Sequence, residues 1–301
     1  SARVRGEAEQ QGGAAEALRP AFDASRLTPY TSRKLILNAD DFGLDPSIND
    51  AVEQAHVDGV LTTTSLMVGG PAAGHAVEIA QRLPTLGVGL HLVLADGPAV
   101  SPRDLIPDLV DAHGRFGDHM VRDGFRFFFL PHVRRQLAIE IRAQFAAFAA
   151  TGLRLDHVNA HKHFHLHPTV LSFMLAIGRD FHLDAVRLPY EPGAAPLLAP
   201  WLALTRRRLH KAGILHNDAM FGLRSTGATD ENALLAALQG LPPGLNEIYL
   251  HPATRRGLRP TMARYRHDDE LAALLSPRVR ETIAARGIVT GRWSDFAARP
   301  Q

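Results

Sequence analysis

Length, composition and charge narrow the classes of protein to which this chain can belong. Its 301 residues are 46% apolar and 21% charged, the proportions of a globular protein with a full hydrophobic core. The 33 basic and 31 acidic residues nearly cancel, so bulk charge indicates no nucleic-acid partner. Because the chain has no cysteine, disulfides and zinc–thiolate sites are excluded, and any metal must be bound by His, Asp or Glu.

We expect neither a membrane-spanning helix nor a secretion signal in this sequence. It has no run of about 18 apolar residues that would predict a membrane-spanning helix. Residues 1–32 lack the continuous apolar segment of a secretion signal, and we expect them to form a tail that is mobile or docked on the fold. The absence of cysteine suits a reducing compartment. We therefore expect a cytoplasmic protein with one folded domain over residues 33–301.

From residue 33 onward, segments with strand and helix patterns alternate. Short apolar and β-branched segments predict strands, which in chain order are KLILNA (34–39), LTTTSLMV (61–68), LGVGLHLVL (86–94), LRLDHVNA (153–160), DAVRLP (184–189), NEIYLHP (246–252) and GIVTG (287–291). Helical spacing predicts helices over residues 46–59, 71–83, 131–151, 168–182 and 270–286. A loop-rich stretch is expected over residues 96–130, and an inserted helical excursion over residues 191–226.

This alternation predicts an α/β fold, and more narrowly a TIM-like (β/α) barrel. A barrel with fewer than eight regular strands is one form of this prediction. A doubly wound open sheet is the competing architecture. No G-x-G-x-x-G sequence follows the first strand, which argues against a dinucleotide-binding sheet. In a barrel the reacting groups lie at the carboxyl ends of the strands, so polar residues at those ends are the candidates for a site.

Several predicted strands end in polar residues, namely Asp40, Asp41, His91, Arg187 and His251. Each has an ordinary structural explanation, such as a helix cap, a core histidine or an ion pair. Their shared placement at one end of the sheet makes it harder for all of these explanations to hold together. Two adjacent carboxylates also need a nearby cation, and one of them would have a disturbed pKa.

The segment NAHKHFHLHP, residues 159–168, places four histidines at every second position, His161, His163, His165 and His167. In an extended segment all four imidazoles would point the same way. A surface histidine tract is the structural alternative, but metal binding is the stronger interpretation because the tract leads from a strand to a helix. His161 and His165 also have H-x3-H spacing, so the tract alone does not say which imidazole would bind a metal.

Five motifs occur in order between residues 38 and 252, namely NADDFG, GLHL, NAHKHFHLHP, VRLPYEP and LHP. Together they resemble the YdjC-like carbohydrate deacetylases. The blocks TTTSLMVGGPAA, FRFFFLPHVRRQL and DHVNAHKHFHLHPTV are more narrowly similar to members associated with hopanoid biosynthesis, and the resemblance covers about residues 35–291. It implies a (β/α) barrel that removes an N-acetyl group from an N-acetylglucosaminyl glycolipid, such as a hopanoid glycoside. Soluble N-acetyl oligosaccharides such as chitobiose are the alternative substrates.

The resemblance also implies a metal site. By motif position, Asp41, His91 and His161 would bind one divalent ion, Zn or Mg. His165 is the alternative to His91, because the wider group of polysaccharide deacetylases takes both histidine ligands from one H-x3-H motif. A set of two histidines and one aspartate suits zinc, whereas a carboxylate with waters also suits magnesium.

Catalytic and substrate-binding roles complete the expected site. The resemblance makes Asp40 the general base. Amide hydrolysis further needs a proton donor for the departing amine, for which His251 has a suitable pKa, and Arg187 would hold Asp40 ionised through a bidentate pair. The expected substrate-binding residues are His163, His165, Tyr190, Glu191 and Trp201.

Two other functions are compatible with parts of the sequence. A glycoside hydrolase would use two carboxylates, for example Asp40 and Glu191, but it leaves the histidines without a role. A metal-storing protein without turnover explains the histidines but not Asp40 beside Asp41, nor Arg187. Analysis of the products separates these functions from a deacetylase.

Two apolar stretches bear on how the chain would reach a lipid-linked sugar. FRFFFLP (125–131) and LLAPWLAL (197–204) follow strands and emerge on the predicted active face. Each would either fold back as a small core or contact lipid. The basic residues RRRLHK (206–211) favour lipid, so residues 197–211 are predicted to form a helical lid with peripheral contact at the inner membrane. The sequence leaves the oligomeric state open between a monomer and an oligomer such as a dimer.

Overall fold

A curled, all-parallel sheet lies at the centre of the fold. The computed structural model describes residues 32–194 and 196–297. In this part of the chain the sheet has seven strands, which are β1 (Arg33–Phe42), β2 (Thr63–Leu66), β3 (Gly87–Leu92), β4 (Val158–Ala160), β5 (Ala219–Phe221), β6 (Gly244–Leu250) and β7 (Val289–Thr290). The strand order is β4-β3-β2-β1-β6-β5, and β7 also pairs with β1.

Helices occupy most of the connections. They are α1 (Pro46–Val57), α2 (Ala73–Arg82), α3 (Met120–Phe129), α4 (Pro131–Ala150), α5 (Pro168–Gly178), α6 (Ala199–Lys211), α7 (Glu231–Gly240), α8 (His267–Leu275), α9 (Pro277–Ala285) and α10 (Trp293–Phe296). Short 3-10 helices are formed by Arg103–Leu105, His161–Leu166, Arg179–Phe181, Pro196–Leu198 and Pro260–Met262. Among the residues described, no helix has the length and apolar character needed to cross a bilayer.

The strand order is that of a barrel rather than a doubly wound sheet. The strands β1 to β4 are neighbours in chain order, as are β5 and β6, and the first strand pairs with β6 and β7 near the chain's end. Between β4 and β5, isolated parallel bridges join Val158 to Val186 and Ala185 to Leu215. The fold is therefore an α/β, barrel-like sheet with fewer than eight regular strands in the described residues, in place of the open sheet that was the competing prediction.

The interior of the barrel changes from apolar to polar toward the carboxyl ends of the strands. On β1 the residues 36, 38 and 40 share one face. Ile36 packs with Trp293, Asn38 bonds to Ser65, and Asp40 lies at the end. The intervening residues Leu35 and Leu37 belong to the main hydrophobic core instead. Alternation along each strand thus carries polar side chains to one end of the barrel, where a site can form.

The structure corrects several predicted elements. The strand predicted at 184–189 is reduced to isolated bridges. The loop predicted at 96–130 contains α3, and the excursion at 191–226 contains β5 as well as α6, while α7 was not predicted at all. The single helix predicted at 270–286 is two helices, because Pro277 has no N–H to continue α8 and Ser276 caps α9. The predicted tail lies outside the described residues, apart from Ser32.

Candidate active site

A local break in β1 turns two adjacent carboxylates toward the same imidazole. Asp41 has a left-handed backbone with φ 67°, and the pairing of β1 with β2 shifts register between Ala39 and Phe42. In a regular strand neighbouring side chains point to opposite faces. Here His91 lies 4.0 Å from Asp40 through Nδ1 and 3.3 Å from Asp41 through Nε2. The break therefore allows one site to use both aspartates.

Asp41, His91 and His161 form a buried group that could hold a metal ion. Oδ1 of Asp41 lies 3.1 Å from Nδ1 of His161, and one ligand atom from each residue lies within 4.8 Å of the others. Neither Asp41 oxygen nor His161 Nε2 has a hydrogen-bond partner among the described residues. Buried polar atoms are normally paired, so a bound divalent cation would satisfy this donor set. Two imidazoles and one carboxylate suit zinc, and a carboxylate with waters also suits magnesium.

Asn159 orients His91. Its Oδ1 lies 2.6 Å from His91 Nδ1, while its Nδ2 donates to Ser65 Oγ at 2.9 Å and to Asp40 Oδ1 at 3.1 Å. These bonds assign the amide oxygen to His91, so Nδ1 carries the proton and the Nε2 lone pair faces Asp41. Sequence analysis missed Asn159, although it precedes the histidine tract in the same motif.

Asp40 forms an ion pair with a buried arginine, whereas His161 contacts Asp41. Arg187 donates through Nη1 to Oδ2 at 2.6 Å and through Nη2 to Oδ1 at 3.0 Å. Burial would raise the pKa of Asp40, but the charge of Arg187 holds this pKa well below its ordinary value. Glu247 accepts from Arg187 Nε and Nη2 at 3.0 and 2.8 Å on the other side. Glu247 was missed too, and its only sequence signal is an acidic residue inside the apolar strand NEIYL.

The four histidines of the tract point to different places, against the expectation for an extended segment. His161–Leu166 is a 3-10 turn in which Lys162 and His163 have left-handed backbones. His161 reaches Asp41, whereas the Nε2–H of His165 donates to the carbonyl oxygen of Arg187 at 2.9 Å. Burial lowers the pKa of His165 to about 3, so its ring is neutral. The structure thus brings His91, and not His165, into the group with Asp41.

The remaining two histidines of the tract lie on either side of the site. His163 packs edge-on to the Tyr249 ring, with 5.3 Å between centroids, and lines the same pocket as Asp40. His167 packs against the rings of Phe127 and Phe128. Only His163 is therefore placed to touch a molecule that binds near Asp40.

His251 follows β6 and is held by its backbone. Its N–H donates to Glu270 Oε2, and its carbonyl oxygen lies 2.6 Å from His267 Nδ1. Burial lowers the pKa of His251, and its Nδ1 has no hydrogen-bond partner among the described residues. Burial also raises the pKa of Glu270 to about 7. The imidazole itself is therefore free to act on a bound molecule.

These groups share a pocket of about 200 Å³, which we call the catalytic pocket. It is lined by Asp40, His91, Asp96, His161, Lys162, His163, Leu223, Thr226, Tyr249, His251, Thr261, Met262 and Tyr265. A second cavity of about 640 Å³, the middle cleft, shares His163 and Leu223 with it. A small polar pocket beside a larger cleft suits a sugar ring that carries a further group.

Four residues expected to bind substrate lie outside the catalytic pocket, namely Tyr190, Glu191, Trp201 and His165, whose ring bonds to the Arg187 carbonyl oxygen. Tyr190 and Glu191 line the middle cleft. Glu191 Oε2 accepts from the backbone N–H groups of Leu223 and Arg224 at 2.8 and 3.2 Å, so it stabilises a loop and does not pair with Asp40. Trp201 lines neither cavity, and its indole N–H donates to the carbonyl oxygen of Leu166 at 2.9 Å.

Comparison with known proteins relates residues 34–285 to the family described as YdjC-like protein. Two curated relatives are carbohydrate deacetylases. The one from Brevibacillus brevis is 37% identical over 62% of this chain and 66% of its own length. The one from Thermoanaerobacter pseudethanolicus is 30% identical over 73% of this chain and 80% of its own length.

One solved structure has a similar fold. It comes from Enterococcus faecalis V583, its name refers to cellobiose-phosphate cleavage, and it is 27% identical, with a TM-score of 0.73 over 89% of this chain and 100% of that one. The match to the Brevibacillus relative, like that to a Vibrio cholerae carbohydrate deacetylase, spans less than two thirds of the relative's length. Because the family match and the Thermoanaerobacter relative both extend over most of the chain, this chain belongs to the YdjC-like protein family.

Proposed function

We propose that this protein is a metal-dependent deacetylase that hydrolyses the N-acetyl group of a carbohydrate. The observation that carries the proposal is the buried group Asp41, His91 and His161 beside the ion pair of Asp40 and Arg187. The names of the curated relatives support the same reaction. Amide hydrolysis needs a polarised carbonyl, an activated water and a proton for the amine, and the catalytic pocket holds groups suited to each.

The two aspartates take different roles in this proposal. A divalent ion bound by Asp41, His91 and His161 would supply Lewis-acid activation of the acetyl carbonyl and of water. Asp40 is ionised and held in place by Arg187, and it accepts the proton of the attacking water. Asn159 keeps the Nε2 atom of His91 directed at the ligand group.

His251 is the proposed proton donor for the departing amine. Its ring lines the catalytic pocket. Glu270 accepts a hydrogen bond from the backbone N–H of His251 and not from its ring. Since burial lowers the pKa of His251, its imidazolium form is a stronger acid than an exposed one. His163, which lines both the catalytic pocket and the middle cleft, would contact the sugar where its next substituent begins.

We assign the acetylated sugar to a glycolipid, of the hopanoid-glycoside kind that the sequence resemblance implies. The middle cleft supports this because most of its lining is apolar, including Leu166, Pro189, Leu198 and Leu202. Exposed apolar side chains near it, such as Leu197 with 93% exposure, would touch the surface of the inner membrane from the cytoplasmic side without spanning it.

Acetate release is the test of this function. The protein is incubated with an N-acetylglucosaminyl glycolipid and separately with diacetylchitobiose, with and without a chelator, and then with added zinc or magnesium. We expect acetate from the glycolipid, loss of activity with the chelator, and recovery with zinc. Acetate from chitobiose alone would assign a soluble substrate, and a cut glycosidic bond would assign a glycoside hydrolase. Activity that the chelator does not affect would end the metal role.

A further inference from the structure

A cluster of two arginines and two histidines at α6 has no role in the deacetylation just described. Arg206, Arg207, His210 and His216 line a cavity of about 560 Å³, which we call the α6 cleft. The other lining residues, among them Ala203, are apolar or aromatic, and no carboxylate is among them. A cavity of this size, whose charged side chains are two arginines, is suited to a ligand that carries negative charge.

The charges of this cluster are not neutralised within the part of the chain that the structure describes. None of the four side chains forms an ion pair with a described carboxylate at 4 Å or less. Arg206 donates to a backbone carbonyl oxygen, that of Asp218, at 2.8 Å and lies over the Tyr190 ring at 5.3 Å. Arg208 on the same helix differs, since it donates to Ser172 Oγ at 2.8 Å and lines no part of the cleft.

The α6 cleft adjoins the middle cleft, and the middle cleft adjoins the catalytic pocket. It shares Tyr190, Ala199 and Leu202 with the middle cleft, which in turn shares His163 and Leu223 with the catalytic pocket. The three cavities therefore lie in series, and an elongated molecule that passes the shared residues would reach from α6 to the catalytic pocket.

The middle section of this path offers little to a polar ligand. Its two charged side chains are Glu191 and Arg224. Glu191 Oε1 lies 3.8 Å from Arg224 Nε, so their opposite charges offset each other. Glu191 Oε2 is also taken by the N–H of Leu223. The segment of a ligand that lies between the catalytic pocket and α6 is thus expected to be apolar.

We propose that the α6 cleft binds a phosphate group carried on an apolar chain, with the chain lying in the middle cleft. The guanidinium groups of Arg206 and Arg207 provide paired N–H donors that match phosphate oxygens, and the two histidines add donors at the cleft wall. The inference rests on the proposed function for its claim that the same molecule reaches the catalytic pocket. The phosphate belongs either to the far end of the substrate or to a bilayer lipid.

Calorimetric titration tests the site without turnover, so its failure is distinct from failure of the deacetylase. The probes are monomeric dodecyl phosphate, uncharged dodecyl maltoside and inorganic phosphate. We expect dodecyl phosphate to bind about tenfold or more tightly than either of the others, and more weakly at high salt. The double variant Arg207→Gln with His210→Gln should lose this preference, while the matched control Arg208→Gln should keep it.

Two further arms separate the sources of the phosphate. If the protein sediments with phosphatidylglycerol vesicles and Arg207→Gln abolishes this sedimentation, the phosphate is that of a bilayer lipid. Competition of dodecyl phosphate with the glycolipid substrate, without vesicle binding, would assign the substrate. Equal affinity for dodecyl maltoside would overturn the anion site, and equal affinity for inorganic phosphate would overturn the apolar path. If Arg208→Gln lost the preference for dodecyl phosphate as fully as the double variant, the preference would depend only on the total positive charge of α6. That result would also overturn the proposal.

Discussion

Arg187 and Asp40 form a bidentate ion pair in which both side chains are buried, with contacts of 2.6 and 3.0 Å. The pair engages both oxygens of Asp40, and Oδ2, which accepts from Arg187 Nη1, keeps a second lone pair for a proton. The adjacent carboxylate, Asp41, has no hydrogen-bond partner among the described residues. Two neighbouring aspartates therefore have opposite environments, and this difference predicts distinct effects when each is changed.

Asp40→Asn should keep the metal and lose turnover. The amide cannot accept a proton from water, and removal of a general base commonly costs ~10²–10⁴-fold in rate. Metal content by mass spectrometry and acetate release would be measured on the same sample. Glu191→Gln is the matched control and should retain most activity, because Glu191 lies outside the catalytic pocket and its Oε2 accepts backbone N–H groups. Loss of the metal in Asp40→Asn would contradict the assignment and make Asp40 a ligand.

His91→Ala should lose the bound metal, because it removes an imidazole whose Nε2 faces Asp41 at 3.3 Å. Metal content should fall from about one ion per chain toward zero after dialysis. The control His165→Gln should retain the ion, since a glutamine amide can replace the hydrogen bond to the Arg187 carbonyl oxygen. If His165→Gln lost the metal while His91→Ala kept it, the H-x3-H pair would be the ligand set.

His251→Gln should reduce kcat more for a substrate with a poor amine leaving group than for one with a good leaving group. Protonation of nitrogen matters most for an ordinary amide, and an activated acetyl ester needs little help. We therefore expect a much larger loss for the N-acetyl sugar than for the ester, measured as kcat for both substrates. Equal losses for the two substrates would show that the imidazole positions other groups and does not transfer the proton.

Glu270 should make folding stability depend on pH. Its pKa rises from an ordinary 4.5 to about 7 because it is buried, so the folded state binds the proton more tightly than the unfolded state. This stabilisation is fully present below the ordinary pKa and is lost as the pH rises through about 7. Between about pH 5 and about pH 8 the free energy of unfolding should fall by roughly 2 to 3 kcal/mol from this group alone.

Glu270→Gln isolates that contribution from other titrating groups. Denaturant unfolding of wild type and variant would be compared at each pH, with chelator present throughout. The difference between the two proteins should change with pH by the amount given above. Parallel pH profiles would show that Glu270 stays ionised at the His251 N–H throughout the range.

Leu197→Gln with Leu204→Gln should weaken contact with lipid. These side chains are 93% and 47% exposed, whereas Trp201 of the predicted lid is tied to Leu166 and is less suited to the test. Liposome sedimentation and turnover of the glycolipid should decrease, and turnover of a short soluble N-acetyl glycoside should stay near wild type. Val57→Gln on α1, at a residue 60% exposed, is the control. Equal loss on both substrates would make the segment a wall of the active site.

The positions of the strand-end residues could be read from the sequence. Asp40, Asp41, His91 and His251 stand at the ends of apolar segments that alternate with helical ones. Parallel strands place their carboxyl ends together, so a local pattern was enough to predict that these side chains meet. For the same reason the barrel-like fold followed from the alternation, although segments as short as Ala219–Phe221 left no clear pattern.

Only the tertiary structure decided how the side chains pair. Asn159 binds His91 across 68 residues of chain, and Glu247 binds Arg187 across 60. A hydrogen bond depends on distance and direction in space, and these were not encoded in the spacing of the histidines. The left-handed backbones of Lys162 and His163 turn the tract so that His161 faces Asp41 while His165 faces Arg187. Strand periodicity holds only for extended backbone, which is why the direction of each imidazole had to come from the fold.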